Sequence, residues 1–140
     1  MIQTKAGQLK NVTWHGQVPY ERVLELSRLA DVLIATYDPR IPNNRYASPN
    51  KLFEAMVLGK PIIVAQETNM DRIVLETGCG VAVPYGNPVE LERALQTLQD
   101  KPDVRRQLGA NARRAFEKTY NWQSMQKRLL QLYSSLSTQR

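Results

Sequence analysis

The sequence predicts an α/β fold, a Rossmann-like parallel sheet with helices on both faces. Two observations carry that prediction. Four short runs rich in Val and Ile, at residues 12–14, 32–35, 62–65 and 81–83, have the length and composition of buried strands. Stretches of helical periodicity lie between and after them, and alternating strands and helices imply parallel strands joined by right-handed crossovers.

The elements follow in chain order. The first run, Val12-Thr13-Trp14, leads directly into a His15-Gly16 turn. A complete dinucleotide-type half instead opens with a βαβ unit carrying its own turn, and four strands are few for such a sheet. After the run at 32–35 comes a 12-residue connection, 36–47. That is longer than the ~2–6 residues of an ordinary βα loop, and long loops in compact domains are usually functional. The next helix is expected to start with Ser48 as N-cap and Pro49 in the first position. It should bury Leu52, Phe53 and Met56 and stop at Gly59, with Pro61 opening the following strand. A shorter helix should precede Gly78-Cys79-Gly80. Asn87-Pro88-Val89-Glu90 reads as an N-cap, a first-turn Pro and an acid three residues past the cap, with Leu91, Ala94, Leu95 and Leu98 on one face. Two further helices are expected over about 103–117 and 122–135.

The totals narrow the function classes. A 140-residue chain that is 42% hydrophobic and 23% charged, without repeats or low-complexity tracts, fits one folded domain. No apolar stretch is long enough for a signal peptide at the N-terminus or for a membrane span, which points to a cytoplasmic protein. One Cys and one His permit neither an internal disulfide nor a Cys/His metal cluster, and Cys79 reads as a small buried residue. The net charge of +6 is concentrated at 101–118, where six basic residues face two acidic ones. Val104, Leu108, Ala112, Ala115 and Phe116 recur there at helical spacing, which favours an amphipathic helix with a solvated basic face. No aromatic residues interleave its arginines to stack bases, so nucleic acid is not the expected partner.

Candidate chemistry gathers where residues 45–65, RYASPNKLFEAMVLGKPIIVA, bring polar residues to a helix N-terminus. In open α/β sheets ligands collect beyond the carboxyl ends of the strands, and phosphates sit on free helix N–H groups. Lys51 in the first turn opposes the helix dipole by about 0.3–1 kcal/mol, which makes better physical sense if an anion shares the site. Glu54, one turn on, has the chemistry to accept hydrogen bonds from two vicinal hydroxyls. Spacing alone equally allows an ordinary exposed i,i+3 salt bridge between Lys51 and Glu54.

The segments SPNKLFEAMVLGKPIIVA and ETGCGVAVPYGNPVELERAL, with YNW before the last helix, carry a family likeness. From Val12 to Tyr133 the chain resembles the nucleotide-binding C-terminal domain of retaining glycosyltransferases built from two facing Rossmann-like domains (the GT-B fold). That class includes enzymes of cell-surface polysaccharide synthesis. The resemblance implies that Glu54 holds the donor ribose and that Ser48, Asn50 and Lys51 line the diphosphate and sugar. It places Gly16, Gln17 and Val18 near the nucleobase and Thr68 and Asn69 near the transferred sugar. No cofactor or metal is implied.

This sequence also departs from the family pattern. Many relatives carry a second Glu eight positions before the ribose Glu, and here that position is Tyr46. The opening βαβ segment and the N-terminal acceptor domain have no counterpart, so residues 1–140 are expected to be a partial donor-binding domain unable to turn over alone. Its expected partners are a nucleotide-sugar donor, a glycan or lipid-linked acceptor, and an acceptor domain or partner chain. The last helix is expected to pack against the sheet or the missing domain; the alternative, with a lipid-linked acceptor, is contact of the basic and last helices with the inner face of the membrane. An apolar patch left open by a missing domain would favour self-association. The alternative is a non-catalytic nucleotide-binding or partner subunit of a split glycosyltransferase.

Overall fold

The computed structural model describes residues 7–137. Their elements run α1 (Tyr20–Leu29), β1 (Leu33–Ala35), α2 (Pro42–Tyr46), α3 (Asn50–Leu58), β2 (Ile62–Ala65), α4 (Asn69–Thr77), β3 (Gly80–Val83), α5 (Pro88–Asp100), α6 (Pro102–Ala115) and α7 (Trp122–Ser137). A wider π turn, Phe116–Tyr120, joins α6 to α7. The three strands form one parallel sheet in the order β1-β2-β3, with Ile34 opposite Ile63 and Ile63 opposite Val81. No described helix is long and apolar enough to cross a membrane.

The pleat separates two cores. Leu33, Ala35, Ile62 and Val64 face one side, where Leu52, Ala55 and Met56 of α3, Met70, Ile73 and Val74 of α4, and Ala112 of α6 cover them. Ile63 and Val83 face the other side against Ala94 and Leu98 of α5. Strand β2 is therefore buried along its whole length, as its unbroken Ile-Ile-Val-Ala run requires. On the second face the cover stops short of β1, and Ile34 remains 38% exposed.

The expected strand at 12–14 does not form. Among the described residues its backbone bond is the turn from Val12 N–H to the Leu9 carbonyl, and Val12 and Trp14 are exposed. Strand composition cannot hold a strand without a ladder partner, and the described sheet has no position paired with this segment. The start of α3 also differs. Pro49, with φ −65° and ψ 146°, is the N-cap and Asn50 the first helical residue. Pro49 is itself extended instead of helical, so the helix begins one residue later and Ser48 lies one position before the cap.

The remaining termini follow their local chemistry. Asn87 accepts from the Glu90 N–H at 3.2 Å as the α5 cap. Gly59 closes α3 in the left-handed region, at φ 63°. Asn121 donates to the Phe116 and Glu117 carbonyls at 3.0 and 2.8 Å and accepts from Ser124 N–H at 2.8 Å, so it ends the π turn and starts α7. Cys79 is fully buried, and burial pushes its thiol pKa up.

The basic segment is tied into this packing. Arg105 donates to the Leu98 carbonyl at 2.6 Å, and Arg113 donates to the Val57 carbonyl and to Glu117, both at 2.7 Å. Each of these arginines thus satisfies an orphan carbonyl at the end of a neighbouring helix. Arg106 pairs with Asp103, and Arg114 bonds Asn111 at 3.3 Å.

Gly109 lies inside α6 where that helix crosses the end of α3, and a Cβ there would collide with the Gly59 carbonyl oxygen. Alanine is intrinsically better than glycine in a helix by about 1 kcal/mol. The obstacle is backbone rather than a flexible side chain, so the clash should win. Gly109→Ala is expected to lower unfolding stability by roughly 1–3 kcal/mol in chemical denaturation; equal or greater stability would contradict the packing described.

Candidate functional site

Because the strands are parallel, their carboxyl ends share one edge of the sheet. The helices α3, α4 and α5 start after β1, β2 and β3 in turn, so their N-termini gather there. The cap of α5 is filled by Asn87, but neither α3 nor α4 has a side-chain cap. Pro49 has no side-chain acceptor to offer. Thr68, at the N-cap of α4, is buried and turns its hydroxyl back to the Ala65 carbonyl at 2.8 Å. The two uncapped termini are tied together by the Asn69 side-chain amide, which donates to Ser48 Oγ at 3.2 Å. Arg72 in turn donates to Asn69 Oδ1 at 3.1 Å.

Glu67, just before this second terminus, has φ 60°, a left-handed conformation unusual for a non-glycine residue. Its N–H donates to Asp71 at 2.8 Å, and its carboxylate lies 3.9 Å from Arg45 at the end of α2. The connection 36–47 is not structureless. It contains α2, and Asp38 receives the Arg40 guanidinium at 2.8–3.2 Å, which holds its carboxyl below the usual range. The Arg40 guanidinium also sits 5.9 Å from the Tyr85 ring centre. These two residues, with Gln66 and Glu67, line an open cleft of about 370 Å³ beyond the strand ends.

Along α3 the residues divide cleanly. Leu52, Ala55 and Met56 are fully buried, and Phe53 packs on Tyr120 with ring centres 5.9 Å apart. Asn50 and Lys51 are exposed on the first turn, and Lys51 makes no ion pair among the described residues. The salt bridge to Glu54 that spacing allowed is therefore not formed. Glu54 instead accepts at Oε1 from the Tyr20 hydroxyl at 2.8 Å. That bond, followed by partial burial and the Glu54 charge, raises the Tyr20 pKa above its ordinary value. The phenol is therefore protonated and able to donate at neutral pH, and the bond is lost as pH rises through that raised value.

The candidate residues fall into groups. Ser48, Asn50, Lys51 and Asn69 are brought to the paired helix N-termini, with Glu54 one turn along. Thr68 is buried beneath them. Tyr46 ends α2 at 77% exposure. Gly16, at φ 68°, Gln17 and Val18 form the turn before Pro19 and α1, and Tyr20 links that turn to Glu54. Sequence reasoning missed Tyr20, whose partner lies 34 residues away. It also missed the Asp38–Arg40–Tyr85 cluster, in which only Asp38 and Arg40 are near in sequence.

Comparison with known proteins agrees with this architecture. A family model described as glycosyl transferase-like matches residues 4–131. Two uncharacterized glycosyltransferases of Methanocaldococcus jannaschii are each 22% identical to this chain. The matches cover 96% and 92% of it, and 34% and 35% of the relatives, so the chain spans about a third of their length. In fold it is similar to sucrose-phosphate synthase from Thermosynechococcus elongatus, with a TM-score of 0.80 and 24% identity over 99% of this chain and 34% of that one. With the family model matching nearly the whole chain on a Rossmann-like parallel sheet, this chain belongs to the glycosyl transferase-like family.

Proposed function

We propose that the chain is the C-terminal, donor-binding portion of a glycosyltransferase that moves a hexose from a nucleotide-sugar to an acceptor. A growing cell-surface polysaccharide or a lipid-linked sugar, handled on the cytoplasmic side, fits the family resemblance. The observation that carries the reading is the pair of helix N-termini without side-chain caps joined through Ser48 and Asn69, with Lys51, in no ion pair among the described residues, beside them. First-turn N–H groups, two helix dipoles and the Lys51 ammonium favour a diphosphate and would stabilise its charge as it leaves, against the opposing Asp71 carboxylate, which accepts from the Glu67 and Arg72 N–H groups in the first turn of α4. That arrangement supplies positive charge without a metal ion. Glu54, a turn away, supplies a carboxylate for the ribose diol. Asn50 and Asn69 flank the position of the sugar, and Tyr46 occupies the place where many relatives offer a carboxylate.

A partner domain is supported separately. On α7, Trp122, Leu129, Leu130, Leu132, Tyr133 and Leu136 are all exposed, more apolar surface than an isolated helix should leave to water. We assign this surface to an acceptor domain or a split partner chain. The isolated chain should then self-associate, and light scattering at rising concentration should report a mass above that of the monomer. A clean monomer at high concentration would count against the assignment.

A thermal-shift screen with UDP, GDP, ADP and their sugars tests the donor site. One nucleotide class should raise Tm, and Lys51→Ala or Glu54→Ala should each weaken its binding, Glu54→Ala by roughly ten-fold or more, since a hydrogen bond to a charged group is worth about 1.5–3 kcal/mol. A nucleotide that stabilises the parent and both variants equally would remove this site.

A further inference from the structure

We infer that Tyr20 is a positioning residue for Glu54, holding its carboxylate ready for a vicinal diol and so making the site prefer a ribose to a deoxyribose. The inference rests on the donor-site reading above. Tyr20 is the first residue of α1 and Glu54 lies in the middle of α3, and their side chains meet at 2.8 Å. At 54% exposure, Tyr20 is not held at this position by burial in the core.

A carboxylate offers about four lone-pair sites on its two oxygens, and the phenol takes one of them on Oε1. Oε2 remains, with the second site on Oε1, which is what two neighbouring hydroxyl donors need. An unanchored glutamate on a helix surface samples several rotamers, and a ligand that uses it must freeze them. The Tyr20 bond removes that freedom beforehand, and Gly16, Gln17 and Val18 lie in the chain just before the Pro19 N-cap of α1. Of the charged residues in the first turns of α1, Glu21 directly follows Tyr20, and Arg22 and Glu25 pair with each other at 2.8 Å.

A tether between α1 and α3 would explain the same bond, and the two roles differ in what they do to ligand choice. The experiment uses the 140-residue chain, calorimetric titration with whichever of UDP, GDP and ADP binds, and the 2′,3′-dideoxy analogue of that nucleotide. Tyr20→Phe should weaken the ribonucleotide roughly three- to ten-fold, the cost of immobilising one more rotamer-rich side chain on binding, and should leave the dideoxy analogue nearly unchanged. Equal losses for both ligands, or no loss for either, would overturn the inference. Glu54→Ala separates the two readings. If it abolishes ribose preference while Tyr20→Phe does not, the donor site stands and the role of Tyr20 falls. If it has no effect, or if none of the nucleotides binds, the donor site falls and takes the inference with it. NMR titration of Cζ-labelled tyrosine checks the pair itself: Glu54→Gln should lower the Tyr20 midpoint, and an unmoved midpoint would deny the bond.

Discussion

Strand β2 is buried on both faces, and that burial governs most of what surrounds it. Ile62 and Val64 need cover on one side and Ile63 on the other, so the helices that follow β1, β2 and β3 must return over the sheet. Parallel pairing then puts all three strand ends on one edge. The close approaches follow from the same demand. Gly80 sits against the backbone of Ile62, where any Cβ would collide with it, and Gly109 of α6 meets the end of α3. Two of the α6 arginines, Arg105 and Arg113, close the carbonyl ends of α5 and α3, so part of the chain's most basic stretch serves packing.

The polar edge is a consequence of that packing. Once three helices start at the same edge, their first-turn N–H groups converge, and only α5 fills its own cap. Pro49 and the inward-turned Thr68 leave the other two without a side-chain acceptor. A diphosphate is a chemically matched occupant for such a place, with Lys51 as the added charge. Glu54 then lies one turn, about 5 Å, from the first-turn amides, the right scale for a ribose joined to a phosphate.

The central fold was legible because its signals are local. The Ile-Ile-Val-Ala run, the Asn87-Pro88 start of α5 and Gly59 after α3 act within a few residues, and each formed where periodicity and capping placed it. The segment at 12–14 misled because strand propensity cannot reveal whether a ladder partner exists. Ser48 misled for a different reason: the φ of Pro49 suits a first helical position, but its ψ of 146° is extended, and the pattern of residue types does not specify ψ. Lys51 and Glu54 were visible as polar residues on an apolar helix, but their spacing fitted a salt bridge as well as a site. In the structure Glu54 meets Tyr20 and not Lys51, and no pattern in the sequence joins two residues so far apart. Tyr85 beside Arg40 was hidden in the same way, by a meeting of two loops.

The central claim is that the joined N-termini of α3 and α4 receive a nucleoside diphosphate. Amide chemical-shift mapping of the chain during titration with the best-binding nucleotide examines it directly. The account predicts that the largest changes fall on Asn50, Lys51 and Asn69, with Tyr20 and Glu54 following. Changes confined to α7, or to the cleft around Arg40 and Tyr85, with the first turns of α3 and α4 unmoved, would contradict it.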